Sequence, residues 1–173
     1  MSFRVRVRPA VQKDLHTLVD FSRAMASETE SLTLDRRRLR RGLAAILSTP
    51  ALGFLRVAEL ATGRSARIVG QMMVTYEWSD WRNATFWWIQ SVYVDPTWRR
   101  HGVYRTMHEA LRREARATPG VCGLRLYVAR DNRAAQRTYR EMGMITARYR
   151  VFEDDFIIRP ISPRRTGLRN PPA

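Results

Sequence analysis

Arg99, Arg100, His101 and Gly102 lie between an apolar run, Thr85 to Val94, and a segment with helical spacing at Val103, Met107, Ala110 and Leu111. A turn in that place has a definite chemistry. The first N–H groups of a helix lack intrahelical partners and together carry about half a positive charge, so they bind phosphate oxygens where a small residue lets the backbone approach. Gly102 permits the approach, and Arg99 and Arg100 add charge. The strand–turn–helix context predicts a site for a pyrophosphate. Two common phosphate loops fit less well. The segment holds no lysine for the nucleotide-triphosphate loop, and the glycines and downstream acid of the dinucleotide fingerprint are missing.

A second stretch, LRLYVARDNRAAQRTYREMGM, places Asn132, Ala135, Tyr139, Gly143 and Met144 after a strand-like run. The histidines carry less. His101 is a surface-loop residue that can reach a phosphate, and His16 and His108 stand on helices far apart in sequence, so no metal pair is expected. Cys122 is the only cysteine, which excludes an internal disulfide and a cysteine-based metal cluster and reads as a buried structural thiol. Trp87 and Trp88, in an aromatic strand, are expected to pack; Trp78 and Trp81 are open to packing or to a pocket.

These residues need a scaffold. Phe3, Val5 and Val7 alternate with arginines as in a half-buried strand, and Val11, Leu15, Leu18 and Val19 then follow helical spacing. After the polar stretch SETESLTLD, Asp35 can cap a second helix with Leu39, Leu43, Ile46 and Leu47 on one face. Phe54 to Leu60, Arg67 to Trp78 and Thr85 to Val94 read as an antiparallel meander. Thr85 to Val94 is apolar on both faces, as for a covered central strand. A helix from Val103 to Pro119, a strand from Leu124 to Ala129, a short helix capped by Asp131 or Asn132, and one or two strands within Met144 to Ile158 complete the order β-αα-βββ-α-β-α-β. The expected fold is a single α/β (α+β) domain over residues 1–158, with a mixed, mostly antiparallel central sheet flanked by helices. Residues 159–173, basic and with four prolines, are expected to be a disordered tail.

The 173 residues suffice for one domain with a core. No apolar run approaches the roughly 20 residues of a transmembrane helix, and the N-terminus lacks the apolar centre of a secretory signal, so a cytoplasmic protein with no membrane partner is expected. The net charge of +15 is carried almost wholly by arginine, since Lys13 is the only lysine. Such a charge attracts polyanions and leaves two classes open: a nucleic-acid-binding module, or an enzyme for an anionic ligand. Arginine codons are GC-rich, so part of the charge reflects the genome rather than a partner. The run RRRLRR, on a predicted helix, reads as a solvated face.

The two chemical stretches resemble the GNAT (GCN5-related) N-acetyltransferase family. Its acetyl-CoA signature is Arg or Gln, two residues, Gly, one residue, then Gly or Ala, after a strand ending in valine; Arg99, Gly102 and Tyr104 hold the three marked positions, with Tyr104 departing from Gly or Ala. Asn132, Ala135, Tyr139, Gly143 and Met144 match the family's second stretch, and the order of elements over residues 3–157 agrees. The resemblance implies acetyl-CoA as acyl donor, no metal, and transfer of the acetyl group to a primary amine of a small molecule or protein. It implies that Val92, Tyr93 and Val94 pair by backbone with the pantetheine arm. Arg99, Arg100, His101, Gly102, Val103 and Tyr104 would hold the pyrophosphate, with Asn132 and Ala135 beside the donor and Tyr139 facing the sulfur as general acid. An attacking amine must be neutral, yet a primary amine near pKa 10.4 is ~99.9% protonated at pH 7, so a base, a water chain or a dry pocket is required. Acidic residues gather at Glu28 and Glu30, at Glu77 and Asp80, and at Glu153 to Asp155. By family analogy the first two groups face the acceptor. Glu30 and Glu77 are the expected base or amine ligands, with Asp80 and Gln90 as further acceptor contacts. A bacterial homodimer is expected. The competing readings are a basic nucleic-acid-associated protein and a CoA-binding sensor without turnover.

Overall fold

The computed structural model describes residues 4–62 and 65–158; the expected disordered tail, 159–173, and Phe3 lie outside the described residues. Strand β1 (Val5–Pro9) is followed by helices α1 (Leu15–Glu30) and α2 (Arg36–Ser48). Next come strands β2 (Phe54–Thr62), β3 (Ser65–Ser79) and β4 (Ala84–Val94), helix α3 (Val103–Ala117), strand β5 (Val121–Leu126) and helix α4 (Arg133–Glu141). The five strands form one sheet in the order β1-β2-β3-β4-β5. All pairs are antiparallel except β4 with β5, which α3 connects as a crossover. The mixed, mostly antiparallel sheet expected from the sequence is present.

Helices cover both faces. On one, α1 and α2 set Leu15, Leu18, Val19, Leu43 and Ile46 against Leu55 and Val57. On the other, α3 sets Val103, Met107, Leu111 and Ala115 against Leu60, Val69, Met72, Val74, Trp87 and Ile89. Gly70 lets the first turns of α3 approach, since a Cβ there would meet Met107 Sδ at 3.2 Å and Val103 Cγ1 at 3.3 Å. Asp35 caps α2 as expected, accepting a hydrogen bond from Arg38 N at 2.6 Å. At the other end of the sheet the Arg8 guanidinium joins Asp14 (2.6 Å) to Glu59 (3.2 Å). Asp14, only 4% exposed, also accepts from Val11 N at 2.9 Å. Burial alone would raise the Asp14 carboxyl; the hydrogen bonds from Arg8 and Val11 N–H together outweigh it and hold the group below its ordinary range.

Four expectations are corrected. SETE is not a linker: α1 runs on to Glu30 and ends at Ser31 in the left-handed conformation, so Glu28 and Glu30 sit on a helix end. β5 spans Val121–Leu126 rather than Leu124 to Ala129, because β4 and β5 part after Ile89 and Leu126. Cys122 is exposed, not buried. Thr85 pairs with Val121 and Phe86 with Gly123, which leaves Cys122 as the extra residue of a bulge with its thiol turned outward. The expected last strand, and with it the final β of the predicted order, is absent among the described residues: 144–158 carries no strand. There the Asp155 carboxylate accepts from Ile157 N (2.7 Å) and Ile158 N (2.8 Å), a local turn that competes with pairing to a sheet.

Candidate functional site

The site begins with a defect in β4. Its register with β3 passes from Val74↔Ile89 to Met73↔Ser91, so Gln90 is a bulge residue. A bulge bends its strand, and at this point β4 leaves β5, whose pairing stops at Ile89↔Leu126. Ser91–Val94 remain bonded to β3 on one side, while among the described residues no strand pairs with them on the other. The sheet is therefore split into a V whose inner edge offers the backbone N–H and C=O groups of Val92, Tyr93 and Val94. An extended, amide-containing ligand can add to such an edge as a strand would.

The V opens onto the phosphate turn. Asp95 and a single 3-10 turn, Pro96–Trp98, lead to Arg100 (φ 63°) and Gly102 (φ 78°), both left-handed, before α3 begins. A side chain at Gly102 would be strained by that φ. The Gly102 carbonyl takes the Thr106 N–H at 3.0 Å, as the first helical acceptor should, and the N–H groups of the first turn have no partner within the helix. The Arg99 guanidinium does not face this turn. It donates to Glu28 Oε2 (2.5 Å) and to the Val94 carbonyl (3.0 Å), and it lies 5.4 Å from the centre of the Tyr93 ring. His101 is exposed, its Nδ1 2.8 Å from the Arg99 carbonyl.

Glu28 is the residue the sequence reading undervalued. Besides Arg99 it accepts the Tyr93 hydroxyl at 2.8 Å, so one carboxylate ties α1 both to β4 and to the phosphate turn. The Arg99 hydrogen bond, reinforced by that from Tyr93, holds the Glu28 carboxyl below its ordinary range. Tyr93 moves oppositely: burial first, then the bond to Glu28, push its phenol up to about 12.

Across the V stands α4. Asn132 is its N-cap, its side-chain oxygen accepting from Ala135 N at 3.0 Å, so the Asn132 amide N–H₂ and not its oxygen is left for a ligand. Tyr139 is half-buried and packs edge-on against Tyr104, with ring centroids 5.7 Å apart. Burial raises the Tyr139 phenol, so the group is protonated at neutral pH. Tyr104, the irregular letter of the motif, turns inward, its hydroxyl buried and its ring against Tyr139 and His108.

On the α1 face of the sheet, alternation and register bring Glu77, Phe86, Trp88 and Arg125 to one surface: Glu77 opposes Phe86, and Trp88 opposes Arg125. Arg125 bonds Glu77 and lies 3.8 Å from the Phe86 ring centre. Gln90 Nε2 donates to the Tyr127 hydroxyl at 2.8 Å, and Trp88 packs on the Tyr127 ring at 5.9 Å. Partial burial raises the Tyr127 phenol, and the Glu30 and Glu153 carboxylates raise it further, which sets Glu30, Gln90 and Tyr127 in one neighbourhood. Asp80 is not part of it. It holds its neighbour Trp81 N (2.8 Å) at the far end of the β3–β4 hairpin, three residues or ~10 Å beyond Glu77 along the strand. Trp78 and Trp81 are exposed, Trp81 by 84%; Trp87 is core and Trp88 half-buried on the opposite face. Arg125 and Tyr127 were not legible as site residues, because Arg125 takes its face from the parallel pairing to β4 and Tyr127 its place from contacts with Gln90 and Trp88. Among the described residues no cluster of His, Cys, Asp or Glu could hold a metal, and no helix is long and apolar enough to cross a membrane.

A split β4 edge thus leads into a left-handed glycine turn and a helix N-terminus. The family model of the acetyltransferase (GNAT) family matches residues 18–144. The crystal structure of a possible acetyltransferase from Clostridium difficile 630 is 36% identical, with 89% of this chain and 99% of that chain covered and a TM-score of 0.78. An aminoglycoside N-acetyltransferase solved in complex with CoA is 12% identical (91% and 98% covered, TM-score 0.71). An aminoglycoside acetyltransferase from an uncultured soil metagenomic sample, solved with sisomicin, is 16% identical (90% and 97% covered, TM-score 0.65). These last two are alike in fold alone. A comparison with curated proteins finds no significant relative. With a family match over most of its length and a 36% identical acetyltransferase-like structure spanning nearly all of it, this chain belongs to the GNAT acetyltransferase family.

Proposed function

We propose that the protein transfers the acetyl group of acetyl-CoA to a primary amine of a small molecule or protein by direct attack on the thioester. The observation that carries this reading is the free β4 edge at Val92–Val94, continuous with the turn at Gly102. The pantetheine amides would pair with that edge, and the pyrophosphate would sit on the turn from Arg99 to Tyr104. Because Glu28 engages the Arg99 side chain, the backbone N–H groups and the exposed Arg100 and His101 would supply most of the phosphate contacts. The Asn132 N–H₂ would donate to a pantetheine carbonyl, with Ala135 beside it, and the protonated Tyr139 would face the sulfur.

The amine would approach from the surface of Trp88, Gln90 and Tyr127. Glu30, at the end of α1, would attract a cationic amine and take its proton directly or through water. Glu77, already held by Arg125, would anchor the acceptor rather than act as base. In the reaction the amine nitrogen bonds to the carbonyl carbon, the C–S bond breaks with its electron pair going to sulfur, and Tyr139 protonates or hydrogen-bonds the thiolate.

Calorimetry with acetyl-CoA, followed by thiol release across a panel of amines, tests the proposal. Binding with amine-dependent thiol release is expected. Binding with an intact thioester for every amine would make the protein a CoA sensor. No CoA binding, together with salt-sensitive binding to random-sequence DNA, would support the nucleic-acid reading.

A further inference from the structure

Tyr104 stands where the family signature has Gly or Ala, and its hydroxyl meets neither solvent nor a hydrogen-bond partner. It is the second residue of α3, one helical turn ahead of His108. Its ring packs edge-on to Tyr139 at 5.7 Å and tilted against His108 at 5.9 Å. The Tyr104 hydroxyl is buried and has no hydrogen-bond partner. A buried polar group left unpaired costs ~1–3 kcal/mol, a cost that phenylalanine would avoid with the same ring contacts. His108, 1% exposed and with neither ring nitrogen partnered, is kept neutral by burial and then by Arg112, against a smaller opposite pull from Glu109. The hydroxyl of Tyr104 is thus an O–H donor in reserve beside the phenol of Tyr139.

Tyr139 needs such a donor. A thiolate, the base of a thiol near 8.5, accepts a proton from a phenol near 10 only against a gradient of roughly 1.5 units, about 2 kcal/mol, and burial of Tyr139 steepens it. Tyr104 is raised by its own burial and further by a phenolate at Tyr139, and the two rings are in edge-on contact.

We propose that Tyr104 is a positioning residue for the proton donor: its ring braces Tyr139, and its hydroxyl donates a hydrogen bond to the Tyr139 oxygen as that oxygen gives its proton to the departing sulfur. This rests on the reading of Tyr139 given above. As the C–S bond breaks, the electron pair goes to sulfur and the Tyr139 proton follows it. The Tyr104 proton stays on Tyr104, and Tyr139 is reprotonated from water, which balances the proton lost by the amine.

The test is the ionisation of the thiol of bound CoA, read as thiolate absorbance against pH relative to the complex with desulfo-CoA. It uses the wild type, Tyr104→Phe, Tyr139→Phe and the double variant. Phenylalanine preserves the ring brace, so CoA affinity should stay within about twofold. Tyr139→Phe should raise the thiol pKa most, and Tyr104→Phe by about half to one unit, roughly 3- to 10-fold in the ionisation constant. In the Tyr139→Phe background the second change should add nothing. A thiol that titrates as in wild type in Tyr104→Phe, or the same shift in both backgrounds, overturns the inference. If Tyr139→Phe alone leaves the thiol unchanged, the reading of Tyr139 falls and this inference with it.

Discussion

At the scale of single residues, the proposed donor half rests on the Tyr139 phenol, and of the proposed acceptor carboxylates Glu77 is already engaged with Arg125. As the proposed donor to the thiolate, Tyr139 would be a weak acid, so its removal should slow the reaction without abolishing it. Tyr139→Phe is expected to lower kcat on the order of 10²-fold with little change in the KM for acetyl-CoA, measured by thiol release on the best amine of a panel. Glu28 offers a cleaner physical test. Its negative charge and hydrogen bond are part of what pushes Tyr93 up to about 12. Glu28→Gln should bring the Tyr93 phenol back toward the ordinary 10, seen as tyrosinate absorbance appearing at lower pH in the variant. Tyr139 was recognisable in the sequence because the spacing from Asn132 marks it. Glu28 was not, since its partners Tyr93 and Arg99 are 65 and 71 residues away.

At the scale of elements, the left-handed turn at Gly102 and the bulge at Gln90 build the cleft. Gly102→Ala puts a Cβ at φ 78°, which costs ~1–2 kcal/mol or forces the turn to relax. The expected outcome is a several-fold rise in the Kd for acetyl-CoA by calorimetry. The variant's denaturation midpoint shows how much of the cost is borne by the fold. The β1–α1 junction depends on charge instead. Asp14→Ala, which leaves Arg8 to Glu59 alone and takes the acceptor from Val11 N–H, should cost about 1–3 kcal/mol in urea denaturation. Because the folded Asp14 carboxyl lies below its ordinary 3.8, its contribution is complete above that value and is lost as pH falls through the folded pKa. Wild-type stability should therefore drop between about pH 4 and lower pH, and the drop should be smaller in Asp14→Ala. The helical and meander patterns announced most elements, but the two bulges were silent because a one-residue register slip leaves no mark on apolar periodicity.

At the scale of the whole molecule, the segment expected to close the sheet instead presents Phe152 (92% exposed), Phe156 (90%), Tyr149, Val151 and Ile157 to the surface. Three aromatic rings, each able to bury ~150–250 Å², with two aliphatic neighbours approach the ~800 Å² per partner of a standard interface. A second copy of this chain is the expected cover. Light scattering should report a dimer, and Phe152→Ser with Phe156→Ser should shift it to monomer. A monomeric wild type would remove the homodimer expectation. The arginine surplus predicts weak, salt-sensitive adhesion to polyanions.

From the sequence alone came the family, the order of helices and the meander, and the donor motif, because each is local: periodicity, a capping residue, a glycine next to a helix start. The tertiary structure decided what depends on register and on distant partners. It drew the Arg99 side chain to Glu28, turned Cys122 outward, set Arg125 against Glu77 and Tyr127 beside Gln90, and left 144–158 without a strand. A strand's side chains alternate with period two, so a single bulge reassigns faces that no pattern in the chain records. A salt bridge across 71 residues is set only when the sheet and α1 are packed.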